Sequence, residues 1–391
     1  MSVSVNSRRT RLRSALAVVL TVLVLLPAAG LFLRVLQENS KQRDTVQLEQ
    51  DGVEYLTALG PLITALAESQ SSALQGVAAE PASVTAAVAR VQSVDDRVGD
   101  QLGTRTRWTD LKDKISKLPK ATGGEEKVFT AHVEAADLTL ELFEAVRANS
   151  ALKRDPDADI SLLQDVVAEQ APTAVTAVSR MSDLANRAAG ARRALRPALT
   201  VQFGYQAQKA NEIVSELTDT LQEAVDDTKS NTLSGNLVSN LDSFRRGIEA
   251  ANRGANLGGA PDVSTLVTAQ STLQTALSAL SGVILKEIAA LLDDRSDSLT
   301  YRRIEAFALF GVAIALIVVA TLWTRGRARD ARTGSTEQSG ESGRDVSVQV
   351  SGPAGGNGPG SPYNGSPYGS VPNYGEAPNY GGGRERSGAL R

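Results

Sequence analysis

Two uncharged apolar stretches set the limits on what this chain can fold into. One runs from Ala15 to Leu33 and the other from Ala306 to Trp323. A helix rises 1.5 Å per residue, so about twenty residues reach across a bilayer hydrocarbon core of roughly 30 Å. Each stretch is therefore predicted to form a membrane-spanning helix, which makes the lipid bilayer the first partner. The long segment between them has both of its ends tied to the same membrane.

Flanking charge orients the two spans. Arg8, Arg9, Arg11 and Arg13 precede the first, and Arg325, Arg327, Arg329 and Arg332 follow the second. Basic residues beside a span resist translocation, so both termini are expected to be cytoplasmic. Arg34, Lys41, Arg43, Arg302 and Arg303 oppose that orientation, and the denser N-terminal cluster is expected to dominate. A cleaved signal peptide ending near Ala28-Ala29-Gly30 is the competing reading. Apolar character continues through Leu31, Phe32 and Leu33, which favours an uncleaved anchor. The expected organisation is a basic N-terminus (1–14), a first span (15–33), an extracytoplasmic segment (34–303), a second span (304–324) and a cytoplasmic tail (325–391).

Composition narrows the chemistry. The chain has no cysteine, which excludes disulfides, thiolate metal sites and cysteine nucleophiles. His132 is the only histidine, so neither a His-rich metal site nor a repeated catalytic dyad can be built. Asp155, Asp157 and Asp159 lack the remaining ligands of a calcium loop and read as helix caps. No phosphate loop, dinucleotide fingerprint or nucleophile elbow is present. These features predict a protein that is not an enzyme and carries no metal or other cofactor. A net charge of −3 gives nucleic acid no foothold, because membrane topology accounts for the basic clusters.

The segment between the spans reads as all-α. Leu56, Leu59, Ile63, Leu66, Gln70, Ala73 and Val77 alternate steps of three and four, the seam of a coiled coil. The same pattern recurs before the second span in Leu266, Gln270, Leu273, Leu277, Leu280, Ile284, Glu287 and Leu291. Further helices are predicted over 84–102, 128–145, 160–188, 198–229 and 237–252, with Pro172 giving a kink and Pro197 marking a restart. Aromatic residues make up only 4% of the chain, and narrow helical bundles take small and aliphatic cores. The fold expectation is therefore two transmembrane helices flanking an elongated extracytoplasmic helical bundle, followed by a disordered tail.

Polar residues interrupt these seams at chosen places. Gln70 and Gln270 stand at core-type positions, Ser71 adjoins the first, and Asp95 breaks the second helix. A buried amide or carboxylate costs stability unless paired. Such residues therefore either fix helix register or line a small wet pocket. On the pocket reading, Gln70, Ser71, Asp95 and Gln270 bind a small polar ligand. His132 lies on the apolar face of its helix and is expected to be a boundary residue with a hydrogen-bond partner.

Specific stretches resemble a known family. Tyr55-Leu56-Thr57-Ala58-Leu59-Gly60-Pro61-Leu62 and Gln70-Ser71-Ser72-Ala73-Leu74-Gln75-Gly76 resemble the first periplasmic helix of bacterial methyl-accepting chemotaxis receptors and sensor histidine kinases. Leu152-Lys153-Arg154-Asp155-Pro156-Asp157 and the following Ile160 to Val167 resemble the same receptors' Asp-Pro-Asp turn and its helix. The resemblance covers residues 1 to about 325 and implies a sensory role, commonly in a homodimer. Such receptors continue into a signalling coiled coil or kinase. Here residues 333–391 are rich in Gly, Ser, Pro and Asn, with Tyr363, Tyr368, Tyr374 and Tyr380 in degenerate repeats. The expectation is a receptor-like protein signalling through a kinase or receptor partner in trans. The alternative is a cell-envelope scaffold whose tail recruits cytoplasmic proteins.

Overall fold

Glycine and proline punctuate the chain where its apolar periodicity stops, and in the computed structural model most of its helices end at or near those residues. The structure describes residues 4–77, 81–121, 123–153, 158–227, 231–256 and 260–333. Among them there is no β-strand. The helices are α1 (Ser4–Leu74), α2 (Ala82–Val98), α3 (Arg105–Lys117), α4 (Glu125–Asn149), α5 (Ala158–Asp165), α6 (Ala171–Gly190), α7 (Arg196–Asp227), α8 (Asn231–Ala255) and α9 (Val263–Thr333). The chain divides after Arg325 into two units, and of the second the described residues 326–333 are helical. The Asp155-Pro156-Asp157 turn and the tyrosine repeats lie outside the described residues.

Burial follows the seams. Leu56, Leu59, Ile63 and Leu66 of α1 are buried, as are Leu266, Leu273, Leu277, Leu280 and Ile284 of α9. Beyond Ile284 the buried stripe passes to Ile288 and Leu292, leaving the predicted Glu287 and Leu291 half-buried. Helix α1 packs against α2, α4 and α6, while α6 packs against α7 and α7 against α8. Helix α6 is covered on most of its circumference: Ala174, Val175, Ala177, Val178, Met181, Leu184 and Ala185 are all buried. A helix buried all round belongs at the centre of a packed structure.

Three expectations require correction. The predicted 84–102 helix stops at Val98, and Leu102 is buried from the turn that follows. A separate helix, α3, was not anticipated, because only Trp108, Leu111 and Ile115 are large and apolar in a charged sequence. Those three meet at three–four spacing and are all buried. The predicted 160–188 helix is divided by a π-helical turn, Val166–Gln170, directly before Pro172. Proline lacks the N–H that would continue the ladder, and a widened turn relieves its clash with the preceding carbonyl. Elsewhere the punctuation acts as expected. Asp262 caps α9 by accepting from Thr265 N (3.2 Å), Thr265 Oγ1 and Ser264 Oγ (both 2.8 Å), which hold its carboxyl down to about 2.

Helices α1 and α9 dominate the architecture. Each is a single helix of 71 residues. Each contains an apolar window long enough to cross a membrane, and those windows are not covered by protein: Leu26 is 68% and Leu316 64% exposed. Contacts between the two helices recur along their length. Phe32 stacks on Phe310 with ring centroids 4.3 Å apart and meets the edge of Phe307 at 5.3 Å. Asn39 Nδ2 donates to the Leu299 carbonyl at 3.0 Å, and Gln50 Nε2 donates to Asp293 Oδ1 at 2.8 Å. Farther along, Gln270 Nε2 lies 3.5 Å from Ser71 Oγ. Partners on α9 fall in number as those on α1 rise, so the pair is antiparallel.

Candidate functional site

Three of the four polar residues singled out from the sequence meet at one point. Gln70 Nε2 donates to Asp183 Oδ2 at 2.7 Å, and Ser71 Oγ donates to Asp183 Oδ1 at 2.8 Å. Gln270 Nε2 lies 3.4 Å from Ser179 Oγ, which is itself 3.5 Å from Asp183 Oδ2. A buried carboxylate on α6 thus joins α1 to α9. Asp183 is 4% exposed. Burial pushes its carboxyl up to about 6, while hydrogen bonds from Ser71, Gln70 and Ser179 and the charge of Arg187 hold it from rising farther.

Asp183 is the site residue that sequence reasoning missed. Its helix carries Ser179, Ser182, Asp183 and Arg187 among small apolar residues, a pattern that reads as a solvated face. The available signal is the i, i+4 pair Ser179–Asp183 on the same face as Val175. Arg187, one turn on, is committed elsewhere. It donates to Glu125 at 3.0 Å and to Glu126, and its guanidinium lies 4.5 Å over the Phe129 ring.

Asp95 stands apart from this network. Its Oδ1 accepts from Tyr55 Oη at 2.9 Å and from Thr104 Oγ1 at 2.8 Å, with all three side chains buried. Burial pushes the Tyr55 phenol up, and the neighbouring Asp95 charge adds to that. This second cluster ties α1 and α2 to the residue that precedes α3. Every polar atom it uses has a protein partner.

His132 reverses its expectation. It is 3% exposed, and neither ring nitrogen has a hydrogen-bond partner among the described residues. Burial alone lowers its pKa to about 4, so the imidazole is neutral at physiological pH. It borders a cavity of about 110 Å³ with Ser69, Val84, Ile115, Leu118 and Val128. Most of the side chains that converge there are apolar, and the Ser69 hydroxyl in the same lining makes no hydrogen bond to the ring.

A cleft of about 540 Å³ lies between α1, α9 and the junction of the π-helical turn with α6. Val53, Leu56, Ile63, Val175, Leu277 and Leu285 supply aliphatic walls, and Thr57, Thr64, Ser278 and Ser281 add hydroxyls. Exposed Arg90 and Lys286 border it as well. Backbone irregularities surround this space. Pro61 interrupts the α1 ladder, Pro172 follows the π-helical turn, and Gly60 and Gly282 withhold side chains. A Cβ built at either glycine meets no atom within 4 Å. Size and lining match a site for a small ligand with an apolar body and a few oriented polar groups.

Among the described residues no group of three or more His, Asp or Glu is arranged to hold a metal ion. No protein-family model matches the chain, and neither curated proteins nor solved structures show a match to it.

Proposed function

We propose that this chain is a membrane-anchored, receptor-like sensory protein. On this reading α1 and α9 cross the bilayer with both termini in the cytoplasm. Residues 34–303 then form an elongated helical bundle outside, in the manner of chemoreceptor and sensor-kinase sensory regions. One observation carries the reading. The two helices that wall the 540 Å³ cleft are the same two that run without a break into the exposed apolar windows. A ligand that wedges between them changes their relative position, and small helix shifts are a recurrent form of two-state switching. Exposed apolar surface on this scale needs a partner, and a bilayer fits its length.

The cleft takes the ligand, while the polar network ties the helices. Gln70 Nε2, Ser71 Oγ and Asp95 Oδ1 are already engaged by protein partners, and Gln270 sits against Ser71 and Ser179. An organic acid with an aliphatic or aryl body suits the apolar walls, its carboxylate meeting Arg90 or Lys286, since the lining carboxylates Glu54 and Asp293 are engaged by Arg97 and Gln50. Output passes to a kinase or receptor partner in trans.

Thermal unfolding of the full-length protein in detergent micelles, followed across a panel of organic acids, tests this reading. At least one acid should raise the melting temperature. Gly282→Leu fills open space and replaces a helix-interior glycine, so it should raise basal stability by about 1 kcal/mol while abolishing the ligand shift. A panel without any shift, or a shift that survives Gly282→Leu, overturns the cleft as the ligand site.

A further inference from the structure

A second cleft, about 410 Å³, opens between α1 and α9 close to the apolar windows. Its lining includes Asn39, Ser40, Arg43, Asp44 and Gln47 from α1 and Arg303 from α9. Asn39, Arg43 and Gln47 follow one another at four-residue spacing, which places them on one face. Arg303 stands three residues before Ala306, where the second uncharged run begins. Neither Arg43, Arg303 nor Asp44 has an ion pair among the described residues, and the Arg303 guanidinium lies 5.9 Å over the Phe307 ring. Asn39 is buried: its Nδ2 is fixed on the Leu299 carbonyl, and its Oδ1 has no hydrogen-bond partner among the described residues.

We infer that this cleft binds the headgroup of a phospholipid bearing a primary ammonium, of the phosphatidylethanolamine kind. The inference rests on the membrane reading above. Height is the first argument. Asn39 stands six helical steps beyond Leu33, about 9 Å, Arg43 ten steps, about 15 Å, and Arg303 three steps from Ala306, about 4.5 Å, so the cleft straddles and extends past a headgroup layer reaching roughly 5–8 Å beyond the hydrocarbon core. Helical side chains lean toward their own N-terminus. On α1 that direction is toward the span, and on antiparallel α9 it is away from it, so Arg43 and Arg303 lean toward each other.

Charge complementarity selects the headgroup. Two guanidiniums suit one phosphate, which accepts bidentate charge-assisted hydrogen bonds from them. Asp44 is the discriminating group. It repels a purely anionic headgroup but accepts from an ammonium, and the exposed Gln47 amide is a further acceptor beside it. A choline headgroup has no N–H to offer these acceptors. A single site thus matches phosphate and ammonium together.

The test uses full-length protein in micelles, with native mass spectrometry reading adducts of ethanolamine, choline and glycerol phospholipids of identical chains. Ethanolamine lipid should bind about tenfold or more over choline lipid, the ratio expected for one or two charge-assisted hydrogen bonds. The Arg43→Gln/Arg303→Gln double variant should lose that preference with its helical circular dichroism unchanged. Asp44→Asn should shift preference toward the glycerol lipid. Equal binding of choline lipid, or a preference untouched in the double variant, overturns the site. A thermal shift from free phosphoethanolamine equal to that from the lipid assigns the cleft to a soluble phosphate and overturns the lipid source. Flotation with vesicles separates the two readings: a protein that floats but shows no ethanolamine preference defeats the headgroup site alone, and one that fails to float defeats both.

Discussion

Asp183 and His132 are buried to nearly the same degree, 4% and 3% exposed, yet their surroundings differ completely. Asp183 is reached by donors from α1 and by a serine of its own helix, and the amide of Gln270 on α9 closes the cluster. His132 has no hydrogen-bond partner on either nitrogen. In both cases burial disfavours the charged form, but only the carboxylate is given donors that offset part of that cost. The contrast separates two uses of a polar residue in a helical interior. One fixes three helices at a common height; the other is held neutral by packing alone.

Their pH dependences carry opposite signs, and this is the largest effect expected. Asp183 has a folded pKa of about 6, above the ordinary aspartate value of 3.8, so folding favours its protonated form. Its contribution to stability is present below the unfolded pKa and is lost as pH rises from near 4 through 6, by about 3 kcal/mol. His132 has a folded pKa of about 4, below the ordinary histidine value of 6.5, so folding favours its neutral form. Its contribution is present above pH 6.5 and is lost as pH falls toward 4, also by about 3 kcal/mol. In the parent protein the two slopes oppose each other. Relative to it, Asp183→Asn should gain stability steadily between pH 4 and 6, and His132→Gln should lose it over a similar window. Chemical denaturation of the full chain at several pH values, followed by circular dichroism, reads both differences. Slopes of the same sign in the two variants would break the comparison.

At pH 7 the contrast predicts opposite outcomes for apolar replacements. His132→Leu removes a group with no partner and keeps a side chain to fill its space, so it should stabilise by about 1–2 kcal/mol. Gln70→Leu removes a donor from a buried carboxylate and should destabilise by about 1–3 kcal/mol. Melting temperatures of the two variants should therefore move apart. If Gln70→Leu stabilised the protein, the network would be a burden on the fold and not a tie between its helices.

How much of this was legible depended on whether a residue stood out from its own helix. Gln70 and Gln270 interrupt otherwise apolar seams, so period alone marks them, while nothing local shows their common neighbourhood. Asp183 did not stand out. Its helix is buried on most of its circumference because α1 and α7 both pack on it, a tertiary fact with no local signature. Helix α3 was hidden for the reverse reason: three apolar anchors among charges give little periodic signal, although Trp108 is almost wholly buried. The large cleft was illegible because it arises from gaps. Gly60, Gly282 and the π-helical turn lie on different elements, and only packing brings those absences together. The long seams leading toward the apolar runs are legible, since the one proline in 34–74 and 263–305, Pro61, does not end its helix.

The smallest predicted effect tests where the network ends. Ser179 stands 3.5 Å from Asp183 and 3.4 Å from Gln270, longer than the 2.7 and 2.8 Å bonds from Gln70 and Ser71. Hydrogen-bond strength falls off over that range, so the two short donors carry most of the stabilisation of the carboxylate. Ser179→Ala should cost no more than about 0.5–1 kcal/mol, whereas Ser71→Ala should cost about 1–3 kcal/mol at pH 7 because it leaves the ionised Oδ1 without its donor. The two should also differ at low pH. Once Asp183 is protonated it needs fewer donors, so the penalty of Ser71→Ala should shrink below pH 5 while that of Ser179→Ala stays nearly constant. Equal penalties at both pH values would mean that Asp183 is held by the whole cluster and not by α1, and would move the tie between α1 and α6 away from this carboxylate.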